Sequence, residues 1–243
     1  MIYRFSLLLF AFIFFNKPLP NRESNTYKLT STDSSWSTKN RDSNILAKSK
    51  SFYSLIDSNG YSLPSFVSFF AAFEGYNQLL QLGKIKNEML TIVDFSLSST
   101  QDRMWVIDMK LKKVVLNSLV AHGKNSGNEY ATDFSNKHES YKSSLGFFIT
   151  GETYLGKHGL SLRLDGMEYG INDNARNRAV VIHGAEYVSE NFIKKTGRLG
   201  RSQGCPSVSY EIHKKLIETI KEKSCIFIYH PSRAYIQKFK QVL

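Results

Sequence analysis

The chain has 243 residues, 42% of them apolar and 22% charged, with 2 Cys and 5 Pro. This composition suits one packed domain with extensions and excludes whole-chain disorder, collagen-like repeats and a disulfide-built scaffold. Lys and Arg outnumber Asp and Glu by 32 to 21, a net charge of +11; that suits an anionic partner such as cell-wall polymer, while the lack of any run of five basic residues argues against nucleic acid.

In chain order, Arg4 precedes an apolar run, Phe5–Phe15. Its length fits the core of an export signal and is too short for a bilayer span. Residues 1–15 are therefore expected to be a signal peptide or an N-terminal hydrophobic anchor. The expected location is exported, periplasmic or cell-envelope associated, with N-terminal membrane association among the expected contacts. Residues 16–44 are rich in Ser, Thr, Asn and Lys and read as a polar linker. Residues 45–88 read as a helical segment. Within it Phe66, Phe69, Phe70 and Phe73 recur at i, i+3, i+4 and i+7 behind Ser65, an expected N-cap. Such a stripe is core or docking surface.

After Met89 the texture changes to short β-rich runs. Strands are expected at Leu90–Phe95, Met104–Met109, Val114–Ala121, Gly146–Thr150, Leu160–Leu164, Ala179–His183 and Cys225–Tyr229. Ala121–Leu145 is a long polar stretch, of the length that marks a functional or disordered loop. Ser209–Glu222 reads as an amphipathic helix with Ser209 as its N-cap. The expected fold is mainly β (α+β), a catalytic domain over 89–231 behind the helical segment, with a C-terminal tail at 232–243.

The chemistry sits in two places. Arg201–Pro206 reads R-S-Q-G-C-P, and about twenty residues upstream a strand ends in His183-Gly184. Cys205 has no partner at zinc or C-x-x-C spacing, so neither metal nor cofactor is expected. A Cys–His pair from separate elements is the minimal apparatus for nucleophilic acyl transfer, with the imidazole keeping the thiol as thiolate and returning a proton to the leaving group. Gly204 admits close approach of a carbonyl, and nearby amides offer an oxyanion hole.

The runs I-H-G-A-E-Y (Ile182–Tyr187) and G-R-S-Q-G-C-P (Gly200–Pro206) resemble the YkuD-like L,D-transpeptidases, and more narrowly the murein L,D-transpeptidase catalytic-domain subfamily. Collinear stretches fit the same subfamily: Ala121–Gly127, Phe134–Asn136, Ser143–Gly146, Tyr154–Gly159 and Asn172–Arg178. The resemblance implies an L,D-transpeptidase-like β-rich domain handling peptidoglycan stem peptides, with release of D-alanine. By matching position, Cys205 is the nucleophile, His183 the base, the Gly184 carbonyl the orienter of the imidazole, and the amides of Gly204 and Cys205 the oxyanion donors. The alternatives are an L,D-carboxypeptidase, with water as acceptor, and a non-catalytic wall-binding module held by the positive charge.

The chain departs from the broader family at Gln203, where histidine is usual, and at Ser207, where an arginine stands. Arg198 or Arg201 is expected to supply that charge. Ser202, Tyr187 and His122 complete the expected substrate-binding set. His138, His158, His213 and His230 lack metal-ligand spacing and read as structural or exposed. Cys225, inside an apolar strand, reads as a buried hydrophobe.

Overall fold

The computed structural model describes residues 44–232, so the leader, nearly all of the linker and the tail expected from sequence lie outside the described residues. Helical backbone over 44–54 (α1) precedes α2 (Phe66–Gln81), whose first turn is capped by Ser65, its hydroxyl accepting the Ser68 amide. The Phe stripe of α2 is core: Phe69 and Phe73 are buried, and Phe52 from α1 stacks on Phe69 at 6.0 Å and tilts against Phe73 at 5.2 Å. Among the described residues no helix is long and apolar enough to cross a membrane.

Eight strands follow: β1 (Met89–Asp94), β2 (Met104–Asp108), β3 (Lys113–Ser118), β4 (Gly146–Gly156), β5 (Gly159–Gly166), β6 (Val181–Gly184), β7 (Ser207–Val208) and β8 (Cys225–Tyr229). They form one sheet in the order β3-β2-β1-β8-β4-β5-β6-β7. The chain after β3 returns to the far edge, where the Ala121 amide donates to the Ser207 carbonyl at 2.9 Å, so the two edges approach one another. Strands β1 and β8 are near-continuous apolar runs and almost wholly buried, as strands at the middle of a doubly covered sheet must be. The fold is thus mainly β with a helical N-terminal segment.

Most strand ends shift from the sequence expectation, the strand expected at Val114–Ala121 ending at Ser118, and three differences have a visible cause. The strand expected at Gly146–Thr150 runs on to Gly156, through a bulge between Thr150 and Thr153, into a projecting hairpin whose outer residues bury neither face. The strand expected from Ala179 starts at Val181, because Ala179 is left-handed (φ 54°). The helix expected at Ser209–Glu222 is α4 (His213–Ile220). Ser209 instead opens a turn through its carbonyl, and Glu222 and Lys223, both left-handed, end the helical path. Sequence reasoning also missed α3 (Glu190–Thr196), a seven-residue helix capped by Ser189 and ended by left-handed Gly197.

Candidate active site

Strand β7 pairs in parallel with β6, His183 opposite Ser207 and Gly184 opposite Val208. This register brings the R-S-Q-G-C-P loop beside the His183-Gly184 strand end. The loop is fixed from its other side by the start of the long polar stretch: the Ser202 amide donates to the His122 carbonyl at 2.9 Å and the Lys124 amide to the Ser202 carbonyl at 2.8 Å. Gly204 sits at φ +122°, where L side chains are strained, and a Cβ there would lie 2.8 Å from the Lys142 carbonyl. Glycine before the cysteine is therefore required twice over.

Cys205 and His183 line one cleft of about 580 Å³, together with Lys157, His158, Arg178 and Tyr187 among others. His183 Nδ1 lies 2.9 Å from the Gly184 carbonyl, so Nδ1 carries the proton and Nε2 is left as an acceptor. Burial lowers the His183 pKa from 6.5, and the charges of His158, Lys157 and His213 act in the same direction. The Cys205 thiol is reduced and donates toward the Ala179 carbonyl at 3.7 Å. Burial pushes its pKa up, against weaker opposing effects of the Val181 amide, Arg178 and Lys157. Both shifts run toward a neutral thiol and a neutral imidazole, where the sequence leads one to expect a thiolate. A neutral imidazole with a free Nε2 is chemically able to accept a proton from a thiol.

The remaining expected residues divide. Tyr187 faces the cleft, its hydroxyl 3.0 Å from Ser207 Oγ. Ser202 also borders the cleft but is buried and does a different job: its Oγ accepts the Gly204 amide at 2.9 Å and donates to the Cys205 carbonyl at 2.6 Å. The Gly204 amide is thereby committed to Ser202, so of the two expected oxyanion donors only the Cys205 amide is without an acceptor among the described residues. Arg201 borders the cleft, yet its Nη1 is spent on the carbonyls of Lys124 and Gly127 and on Asn128 Oδ1. Arg198 does not line the cleft; its Nη1 donates to the Leu199 carbonyl at 2.6 Å.

His122 is a structural histidine, contrary to the sequence expectation. It is 1% exposed and accepts at Nδ1 from the buried Arg103 guanidinium, 2.9 Å away. Desolvation, aided by Arg103, lowers its pKa to about 4. Arg103 also donates to the carbonyls of Val120 and Leu97, so the pair fastens the start of the polar stretch to the sheet. Cys225 is buried in β8 and unpaired, its thiol pKa raised by burial.

Several cleft residues are not among those expected at the site, and His138 and His158, expected to be structural or exposed, line it. His138 and Glu139 come from the polar stretch, which lines the same cleft as Cys205. Arg178 donates to the carbonyls of Ser135 and Lys142 at 2.7 and 2.6 Å and to the hydroxyls of Ser144 and Ser140, holding that stretch in place. His158, at the tip of the β4–β5 hairpin, stacks on His183 with ring centroids 4.5 Å apart and planes 24° apart. Among the described residues no cluster of three His, Cys, Asp or Glu stands ready for a metal ion.

Comparison with known proteins gives one strong result. The family model described as L,D-transpeptidase catalytic domain matches residues 63–229. Solved structures similar to this chain include an L,D-transpeptidase from Mycobacterium smegmatis (13% identity, 59% of each chain, TM-score 0.36). Two others are an L,D-transpeptidase from Stackebrandtia nassauensis (14% identity, 68% of this chain and 67% of that one, TM-score 0.36) and the helical cell shape determining protein Pgp2 from Campylobacter jejuni (12%, 60% and 48%, 0.39). The chain thus spans about three fifths of the Mycobacterium smegmatis protein's length. No curated protein matches it.

Proposed function

The chain belongs to the L,D-transpeptidase catalytic domain family, and from that premise we propose that it is a cysteine acyltransferase acting on peptidoglycan stem peptides. The observation that carries the reading is that Cys205 lines one open cleft with His183, whose Nδ1 proton is held by the Gly184 carbonyl. The thiol attacks the carbonyl carbon of the L-to-D bond between the third and fourth stem residues as its proton passes to His183 Nε2. The developing oxyanion faces the amide of Cys205. Collapse returns the proton to the departing D-alanine amine and leaves a thioester on Cys205. An acceptor amine then attacks the thioester, losing a proton to the same imidazole and freeing the thiol. With water in place of the amine the same steps give an L,D-carboxypeptidase.

Such a substrate lies outside the cytoplasm, in keeping with the leader-like run Phe5–Phe15. The test is incubation with disaccharide-tetrapeptide fragments, read by mass spectrometry, beside Cys205→Ala. Cross-linked dimers absent from the variant establish transpeptidation; tripeptide without dimers means that water is the acceptor. Neither product, on fragments or intact sacculi, overturns the reading in favour of a wall-binding module.

A further inference from the structure

A donor that loses its last residue carries a carboxylate only two bonds beyond the scissile nitrogen. A cation must therefore sit within a side chain's reach of Cys205 to read that end. Ser207, which stands where the broader family carries an arginine, is buried and hydrogen-bonded to Tyr187. Arg198 lies off the cleft, and Arg201 and Arg178 direct their guanidinium groups at carbonyl and side-chain oxygens of the polar stretch.

Lys157 differs from all of these. It lines the cleft with Cys205, is exposed, and makes no hydrogen bond or ion pair among the described residues. Its charge is nonetheless felt at both the Cys205 sulfur and the His183 ring. Its placement follows from strand register. Gly156 pairs with Gly159, leaving Lys157 and His158 as a two-residue turn, and Ser161 on the same hairpin pairs with His183 of β6. The tip is thus carried over the imidazole, and the His158 ring rests on it.

Resting on the acyl-transfer reading above, we propose that Lys157 is the specificity residue that receives the terminal carboxylate of the donor peptide, with His158 as the positioning residue that seats the hairpin tip on His183. A compact ammonium on a flexible stem suits a carboxylate that enters as a free chain end and leaves as a free amino acid.

The experiment compares stem tetrapeptides ending in a free carboxylate and in a carboxamide, on the wild type, Lys157→Met and Lys157→Arg. A charge-assisted hydrogen bond of ordinary strength predicts an acid preference of about tenfold or more in kcat/KM for the wild type. Lys157→Met lowers kcat/KM on the acid about tenfold more than on the amide, chiefly through KM on the acid, and Lys157→Arg restores most of the preference. Equal losses on both peptides, or an unchanged preference in Lys157→Met, overturn the assignment and leave the acyl-transfer reading standing. Calorimetric binding to Cys205→Ala, with and without Lys157→Met, separates the two ideas. Acid-selective binding that depends on Lys157 supports the assignment without any turnover, whereas binding of neither peptide overturns it together with the function it rests on.

Discussion

Ser202 and Cys205 are joined by a 2.6 Å hydrogen bond from the serine hydroxyl to the cysteine carbonyl, while the same oxygen accepts the Gly204 amide. One side chain thus closes the tight loop that holds Cys205. Ser202→Ala removes both bonds inside a buried site and is expected to cost about 1–3 kcal/mol of stability. The loss of turnover should exceed that of substrate binding, because the thiol's aim is loosened while the cleft lining stays. Thermal unfolding and a kcat-against-KM comparison check this; unchanged kcat would show that the loop holds its shape without the serine.

The resting state of the thiol is open to direct measurement. With the Cys205 pKa raised and the His183 pKa lowered, iodoacetamide should alkylate Cys205 slowly at neutral pH, with a midpoint above the ordinary thiol value of about 8.5. A preformed ion pair would instead give a reactive plateau from about pH 5 upward. Cys225, buried in β8, should stay unmodified in the folded protein, so labelling reports on one sulfur.

Acid should destabilise the fold through His122. Its pKa falls from 6.5 to about 4 in the folded protein, so between those values the unfolded chain binds more protons and stability rises with pH. The contribution is complete above pH 6.5, fades as the pH drops toward 4, and amounts to about 3 kcal/mol. His122→Gln should flatten the pH dependence of Tm over that window, whatever its effect on Tm at neutral pH. An equal slope in the variant would assign the acid sensitivity to other groups.

On α2, helix propensity and packing oppose each other at Gly75. Alanine in a helix is favoured over glycine by about 1 kcal/mol, but a Cβ at Gly75 would lie 2.1 Å from Phe147 Cζ on β4. Overpacking of this kind costs about 1–3 kcal/mol. Gly75→Ala should therefore lower Tm, and adding Phe147→Leu should recover part of the loss. Denaturant unfolding of the two single variants and the double variant decides it.

Much of the frame was legible because its signals are local. Cys225–Tyr229 and the run at Leu90 are apolar enough to demand burial on both faces, and the Phe66–Phe73 stripe has helical period behind a serine cap. The short helix at Glu190 carried readable signals too, Ser189 before it and Gly197 after it, but none of its residues is buried and no apolar period drew attention to it. The outer half of β4 carried no signal at all, since strand residues that bury neither face have no alternation to display.

The site divides along the same line. Cys205, His183 and Tyr187 could be found because each stands in a short run of distinctive residues. Lys157, His158 and Arg178 lie in stretches that carry the family resemblance, but only the pairing of β5 with β6 and the fold of the polar stretch bring them into the cleft. His122 was misread for the complementary reason. A histidine at a strand end before a glycine looks the same in sequence whether it meets solvent or, as here, a buried guanidinium nineteen positions away.

The position of β8 has a consequence for how the protein comes into being. The last strand among the described residues lies at the centre of the sheet, parallel to β1 on one side and antiparallel to β4 on the other. Without β8, the facing edges of β1 and β4 have no strand between them. Cys205 and His183 therefore precede in the chain the strand that unites the sheet, and the cleft they line rests on a frame completed only when β8 docks.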